Sequence, residues 1–247
     1  MRVALIIIGD EVLGAEVEDR NMTPLLRWAA EQGHTAQSVQ VVGDEIQEIV
    51  TALDRARHDG AEVIITTGGV GITHDDRTVE AAGKSLGLTC SEESSEMIEL
   101  ITSWLGYEPQ GVRRRSSQLP PETQLHFPIL EDGGRGWPIF QVADCYCLPG
   151  IPRLVEHLIP LLPDGPGPKP KIEISFEGRE ADSAEVLEEM LARFPKVSAG
   201  SYPPTKRRNR RVRLVIKGSD METISAACDW LEPELMARGL DTERRGP

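Results

Sequence analysis

The sequence predicts an α/β fold in which helices cover both faces of a parallel-core sheet in three layers, followed by a small α+β C-terminal domain. Three observations carry this. Short β-rich apolar runs alternate with helical patterns up to about Leu162, the signature of βαβ units. The segment Pro163-Asp-Gly-Pro-Gly-Pro-Lys-Pro170 then places four prolines and two glycines in eight residues, which blocks helix and ladder alike and reads as a linker. Charge changes there too: residues 1–170 hold 26 acids and 13 bases, whereas residues 171–247 hold 14 of each.

Taken in order, Val3 to Ile8 reads as the first buried strand. A helix from about 23 to 32 follows, with Asn21 or Thr23 as N-cap, Pro24 at its first position and Gly33 just past its end. Then come a strand over 36–42, a helix over 45–58, a strand over 62–67 and helices over 76–86 and 92–105. Strands over 124–130 and 139–148 flank the Glu131 to Gly136 turn as an antiparallel extension, and Pro152 opens a helix to about Leu162. These elements form a first domain over 1–162, with a linker over 163–170. A second domain over 171–238 reads βαββα, and residues 239–247 read as a frayed polar tail.

At 247 residues, 39% hydrophobic and 27% charged, the chain can bury a core without staples, and the composition excludes fibrous and low-complexity classes. The apolar run at the start is six residues long and ends at Gly9-Asp10-Glu11, too short for a signal peptide or a membrane span. Four cysteines without a CxxC pair fit reduced thiols and a cytoplasmic setting. A formal charge of −13 argues against nucleic-acid binding by the acidic first part. The expected partners are a small nucleotide or pterin ligand and further copies of the chain, with no membrane.

In an open parallel sheet, ligands bind outside the carboxyl ends of the strands. The first strand runs into Gly9-Asp10-Glu11, the second into Gly43-Asp44-Glu45, and the third into Thr67-Gly68-Gly69-Val70-Gly71-Ile72-Thr73-His74-Asp75-Asp76. Backbone N–H groups of Gly68, Gly69 and Gly71 suit a phosphate, and Gly69→Val should obstruct that approach. Asp10, Glu11, Asp44, Asp75 and Asp76 are hard ligands for Mg²⁺ or a similar divalent cation, acceptors for a heterocycle's N–H groups, or general bases. The sequence holds no GxxxxGK[ST], GxSxG or HExxH, and Gly69-x-Gly71 lacks the third glycine of a dinucleotide fingerprint.

Gly9-Asp10-Glu11-Val12-Leu13-Gly14, Asp19-x-Asn21, Thr67-Gly68-Gly69-x-Gly71-x-Thr73-His74-Asp75-Asp76 and Leu148-Pro149-Gly150-x-Pro152 resemble the molybdopterin-binding domain of MoaB and Mog proteins. The THDD and LPGxP versions are similar to the N-terminal part of competence-damage-inducible CinA and to the corresponding domain of eukaryotic FAD synthases. The resemblance covers residues 1–162, and Gly200 to Pro203 resembles the small extra domain of those proteins. It implies a 2-1-3 strand core with a site at the edge of the first and third strands. The ligand so implied is molybdopterin or a nucleotide diphosphate, and the activity is metal-dependent hydrolysis of an ADP-ribose or FAD pyrophosphate bond. Adenylyl transfer in molybdenum-cofactor synthesis and ligand binding without catalysis are the alternatives. The resemblance implicates Asp44 and Asp76 in metal-assisted chemistry, and with the neighbouring Asp75 they are the expected catalytic and cation-holding groups. It casts Gly9, Asp10, Glu11, Asn21, Gly68, Gly69, Gly71, Thr73, His74, Pro149 and Gly150 as ligand-binding. Ile72 replaces the family's proline, residues 116–140 match poorly, and CinA's amidohydrolase domain and the flavin-synthase domain have no counterpart in this sequence.

Blander readings compete at several of these positions. Asp76 caps the following helix, a role worth about 1 kcal/mol. The Arg113-Arg114-Arg115 run either reaches a phosphate or makes a solvated face. Lys206 to Arg213, with six bases in eight residues, reads as a charged edge hairpin or an electrostatic dock.

Overall fold

Six consecutive apolar side chains, Val3 to Ile8, are buried in strand β1 (Arg2–Ile8) because both faces of the sheet around it are covered. The computed structural model describes residues 1–204 and 211–246. The other strands of the first sheet are β2 (Thr35–Val42), β3 (Val63–Thr67), β6 (Gln124–His126), β7 (Ile139–Val142) and β8 (Cys145–Leu148). Their order is β2-β1-β3-β8-β7-β6. The first four run parallel, and β7 and β6 close one edge antiparallel. A separate two-residue pair joins β4 (Glu92–Glu93) to β5 (Gln118–Leu119).

Alternation along each strand sends side chains to two cores. Val3, Leu5, Val63 and Ile65 meet Leu25, Trp28 and Ala29 of helix α2 (Met22–Glu31), together with Val155 and Leu158 of α6 (Pro152–Leu158). Ala4, Ile6, Ile8 and Ile64 meet Ile49, Ala52, Leu53 and Ala56 of α3 (Ile46–His58) on the other face. That core also takes Ala81 and Ala82 of α4 (Thr78–Lys84), and Met97, Leu100 and Ile101 of α5 (Ser95–Leu105). The result is the expected three-layer α/β unit. One further turn of helix, α1 (Asp10–Leu13), follows β1 directly.

Several expectations require correction. The strand expected over 139–148 is the hairpin β7–β8, which reverses at Ala143, in the left-handed region at φ 52°, and Asp144. Arg57 fixes that corner, its Nε and Nη2 each donating to an Asp144 carboxylate oxygen at 2.9 Å. Both arms are buried, so the sequence reads as one apolar run. The strand expected over 124–130 stops at His126, and the helix expected from 92 begins at Ser95 with Ser94 as its cap. At the start of α2, Asp19 accepts from the N–H groups of Asn21 and Met22, so Pro24 lies third in the helix.

The chain forms two compact units, Met1–Gly167 and Pro168–Pro247. The second unit has a four-stranded antiparallel sheet ordered β10 (Val197–Tyr202), β11 (Val212–Gly218), β9 (Lys171–Phe176), β12 (Thr242–Arg245). Helices α7 (Ala184–Arg193) and α8 (Met221–Ala237) pack on it, giving a core that includes Ile172, Ile174, Phe176, Leu214, Ile216, Val186 and Leu231. Within the frayed tail expected over 239–247, residues 242–245 are instead β12, paired to β9. Buried Leu240 and the pairing of Arg244 with Asp229 at 2.6 Å and Glu232 at 3.3 Å tie it down, contacts with residues over ten positions away in sequence. Of the expected basic segment, residues 206–210 lie outside the described residues. Arg211 is no free cation, since it donates to the Ser175 and Asp241 carbonyls and pairs with Glu243. Among the described residues, no helix is long and apolar enough to cross a membrane.

Candidate functional site

Because β1 and β2 run parallel with Ile8 opposite Val42, their carboxyl ends deliver Asp10 and Asp44 side by side. The Asp10 N–H donates to Asp44 Oδ2 at 3.0 Å, and the Asp44 N–H approaches Asp10 Oδ1 at 3.4 Å. The half-buried Asp44 carboxyl is pushed above its ordinary range by burial, which outweighs the lowering effect of the Asp10 N–H hydrogen bond, with repulsion from Asp10, Glu11 and Asp75 adding to it.

Beyond β3 the chain turns through Gly68 at φ 101° and Gly69 at φ 59°. A Cβ on Gly68 would collide with the Ile8 carbonyl, and one on Gly69 with the Thr78 hydroxyl. Thr78 holds the turn from the start of α4, its hydroxyl donating to the Gly68 carbonyl at 2.7 Å and its N–H to the Gly69 carbonyl at 3.0 Å. Internal packing therefore demands both glycines, and Gly69→Val damages the loop itself before any ligand arrives. Among the described residues the N–H groups of Gly69, Val70 and Gly71 meet no protein acceptor.

The next turn is closed by Asp76, whose Oδ2 accepts from the Thr73 N–H at 2.7 Å and lies 2.6 Å from the Thr73 hydroxyl. Asp76 is therefore not the helix cap: α4 begins at Thr78 after Arg77, with no side chain capping it. Asp75 lies 2.5 Å from the same hydroxyl, which holds its carboxyl below the ordinary range. His74 is 89% exposed and 3.5 Å from Asp75. From the following segment, Ser116 donates to the Gly71 carbonyl and Arg115 to that of His74, while Arg114 pairs with Glu93 and Glu108. The arginine run thus braces the loop and its surroundings.

These segments enclose a cavity of about 530 Å³. Of the residues singled out in the sequence, Glu11, Asp44, Gly68, Gly69, Gly71, Thr73, Asp75, Asp76, Pro149 and Gly150 line it. Gly9, Asp10, Asn21 and His74 do not. Asp10 acts through Asp44, and buried Asn21 donates to the Gly150 carbonyl at 2.8 Å, linking α2 to the Pro149-Gly150 turn. Sequence reasoning missed Trp104 and Trp137, which also line the cavity with their ring centroids 5.3 Å apart. The two are separated by more than thirty positions and share no motif, so no sequence signal joins them. A second cavity of about 400 Å³ shares Gly69, Gly71 and Asp76, and is lined by Arg77, Lys84 and Arg115.

Among the described residues no three His, Cys, Asp or Glu side chains converge as a closed metal cage. A Mg²⁺-type cation needs only one or two carboxylates when phosphate and water complete its shell. Asp44 and Asp75 fit that looser role, since no lysine or arginine lines the carboxylate-bearing cavity to neutralise them.

Residues 4–162 match the model of the probable molybdopterin binding domain. The chain belongs to that family. Residues 171–243 match the FAD synthase middle domain, so both halves of the chain have a family counterpart. Among relatives of this molybdopterin-binding family, a probable FAD synthase of Caenorhabditis briggsae is 28% identical over 90% of this chain and 47% of its own length. A CinA-like protein of Citrifermentans bemidjiense is 33% identical over 64% of this chain and 39% of its own. A protein of Pyrococcus horikoshii is 28% identical over 92% of this chain and 93% of its own. The chain therefore spans about half the length of the Caenorhabditis FAD synthases. The crystal structure of a CinA protein from Thermoplasma acidophilum aligns with a TM-score of 0.56 at 24% identity, over 65% of this chain and 94% of that one, a likeness of fold.

Proposed function

We propose that the first unit binds a nucleotide diphosphate of the FAD or ADP-ribose class and hydrolyses its pyrophosphate bond with the help of a divalent cation. The observation that carries this is the pairing, in one cavity, of spare backbone N–H groups at Gly69 to Gly71 with carboxylates among which no lysine or arginine stands. A diphosphate meeting Glu11, Asp44, Asp75 and Asp76 alone would be repelled, so the two negative partners require a bridge. Asp44 and Asp75 would hold the cation, which supplies charge neutralisation at the phosphoryl group. The chain's own part is positional. Gly69, Val70 and Gly71 donate N–H groups to phosphate oxygens, the Asp76–Thr73 turn fixes the loop, and Glu11, the cavity carboxylate assigned neither to the cation nor to that turn, accepts a proton from the attacking water. Water adds to one phosphorus and the bridging oxygen leaves, giving AMP with FMN or with ribose 5-phosphate.

The test is AMP release from FAD and ADP-ribose with Mg²⁺, Mn²⁺ or Co²⁺. Asp44→Asn and Asp75→Asn should each lower the rate about 10²-fold or more per folded molecule. The family match favours a second reading, molybdopterin binding or adenylylation. No AMP with any metal, together with tight molybdopterin binding, replaces the hydrolase with that reading.

A further inference from the structure

We propose that Trp104 and Trp137 form the subsite that takes the flat aromatic heterocycle of the ligand. This rests on the cavity reading above and names what occupies its apolar wall. Of the four tryptophans, Trp28 is 5% exposed against His34 in the core, and Trp230 is covered by Phe194 and Arg193. Trp104 alone is left 52% exposed, at the end of α5 and on the cavity. Its ring lies 5.3 Å from that of Trp137 with 33° between the planes, so the two indoles make one tilted aromatic wall.

Trp137 is 4% exposed, and its Nε1 is buried with almost no accessible surface, so what it gives the cavity is the ring that backs Trp104. Nearby Arg135 does not stack on Trp104, because it lies over Phe127 at 4.9 Å. The cavity's other apolar walls are Ile72, Ile151 and Leu154, and its charged side chains are all carboxylates. Such a chamber offers an indole face and several acceptors. That set matches a flat heterocycle carrying N–H donors. Flavin and adenine share this chemistry.

The experiment is calorimetric titration of the full chain in Mg²⁺ with FMN, AMP, ribose 5-phosphate and inorganic pyrophosphate, for wild type, Trp104→Leu and Trp104→Phe. Trp104 is exposed, so unchanged melting temperatures are expected. Trp104→Leu should weaken FMN or AMP at least about 10-fold, Trp104→Phe should retain most of the affinity, and pyrophosphate should stay within about 2-fold. Whichever of FMN and AMP responds identifies the heterocycle. If Trp104→Leu leaves both unchanged, weakens pyrophosphate equally, or if wild type binds ribose 5-phosphate as tightly as FMN and AMP, the subsite is wrong while the diphosphate site stands. If wild type binds none of the four, both readings fall.

Discussion

Acidic side chains are treated in opposite ways in two regions of the molecule. In the second unit they are cancelled in place: Arg238 pairs with Glu185 and Glu189, Arg244 with Asp229 and Glu232, Arg211 with Glu243, and Arg179 with Asp182. The Arg179 N–H and guanidinium hold Asp182 below the ordinary carboxyl range. At the strand ends of the first unit, Asp44 is shifted the other way, because burial and neighbouring carboxylates act on it without a cationic partner. Charge arranged for the fold is neutralised within the fold. Charge that costs the fold something is informative about what lies outside it, and this contrast motivates assigning the cavity to a cation-bridged anion.

The largest expected effect tests how rigid the cavity floor is. Gly68→Ala places a methyl against the Ile8 carbonyl at a left-handed position, and should cost about 3 kcal/mol or more, read from the urea midpoint at unchanged slope. Gly87→Ala, at φ 72° with open space around the site, should cost only the backbone strain of about 1–2 kcal/mol. Equal losses would mean that close packing around the loop is not what fixes it.

The next effect goes to the charge contrast itself. A carboxyl whose folded pKa is raised keeps its proton longer in the folded state, so the folded protein loses stability as pH climbs from the ordinary 3.8 through the folded value. Removing that charge by Asp44→Asn should therefore raise the melting temperature at pH 7, and the gain should close as pH falls below about 3.8. A variant that melts lower than wild type at pH 7 would show that Asp44 is compensated after all. The smallest effect is expected from Arg244→Ala in the second unit. Its partner Asp229 is 67% exposed while Glu232 is 20% exposed, so the loss should be about 1 kcal/mol and shrink only in part in high salt.

Much of the first unit was legible because its signals are local. The buried runs at Val3 to Ile8 and Val63 to Thr67, the amphipathic pattern of α3 and the glycine after α2 each specify an element by composition within a few residues. The loop from Gly68 to Asp76 was also visible, since glycines and acids after a buried strand have few other uses. Whether Asp76 caps the helix was not legible, because a carboxylate just before a helix satisfies two geometries, and only the position of Thr73 decides between them. The Ala143-Asp144 reversal was hidden for a comparable reason: its anchor, Arg57, lies 87 residues away.

Alone, the sequence determined most of the long strands and helices, that a proline-rich stretch separates two patterns, and that acids and glycines follow three strands. Each of those follows from side-chain periodicity or backbone restriction, which act over a handful of neighbours. Tertiary structure decided the rest. It set Asp10 against Asp44, turned Asp76 onto Thr73, made the last residues a strand, and brought Trp104 to Trp137 at the cavity wall. Those pairings depend on chain crossings and on packing between distant segments, whose energies no local pattern records.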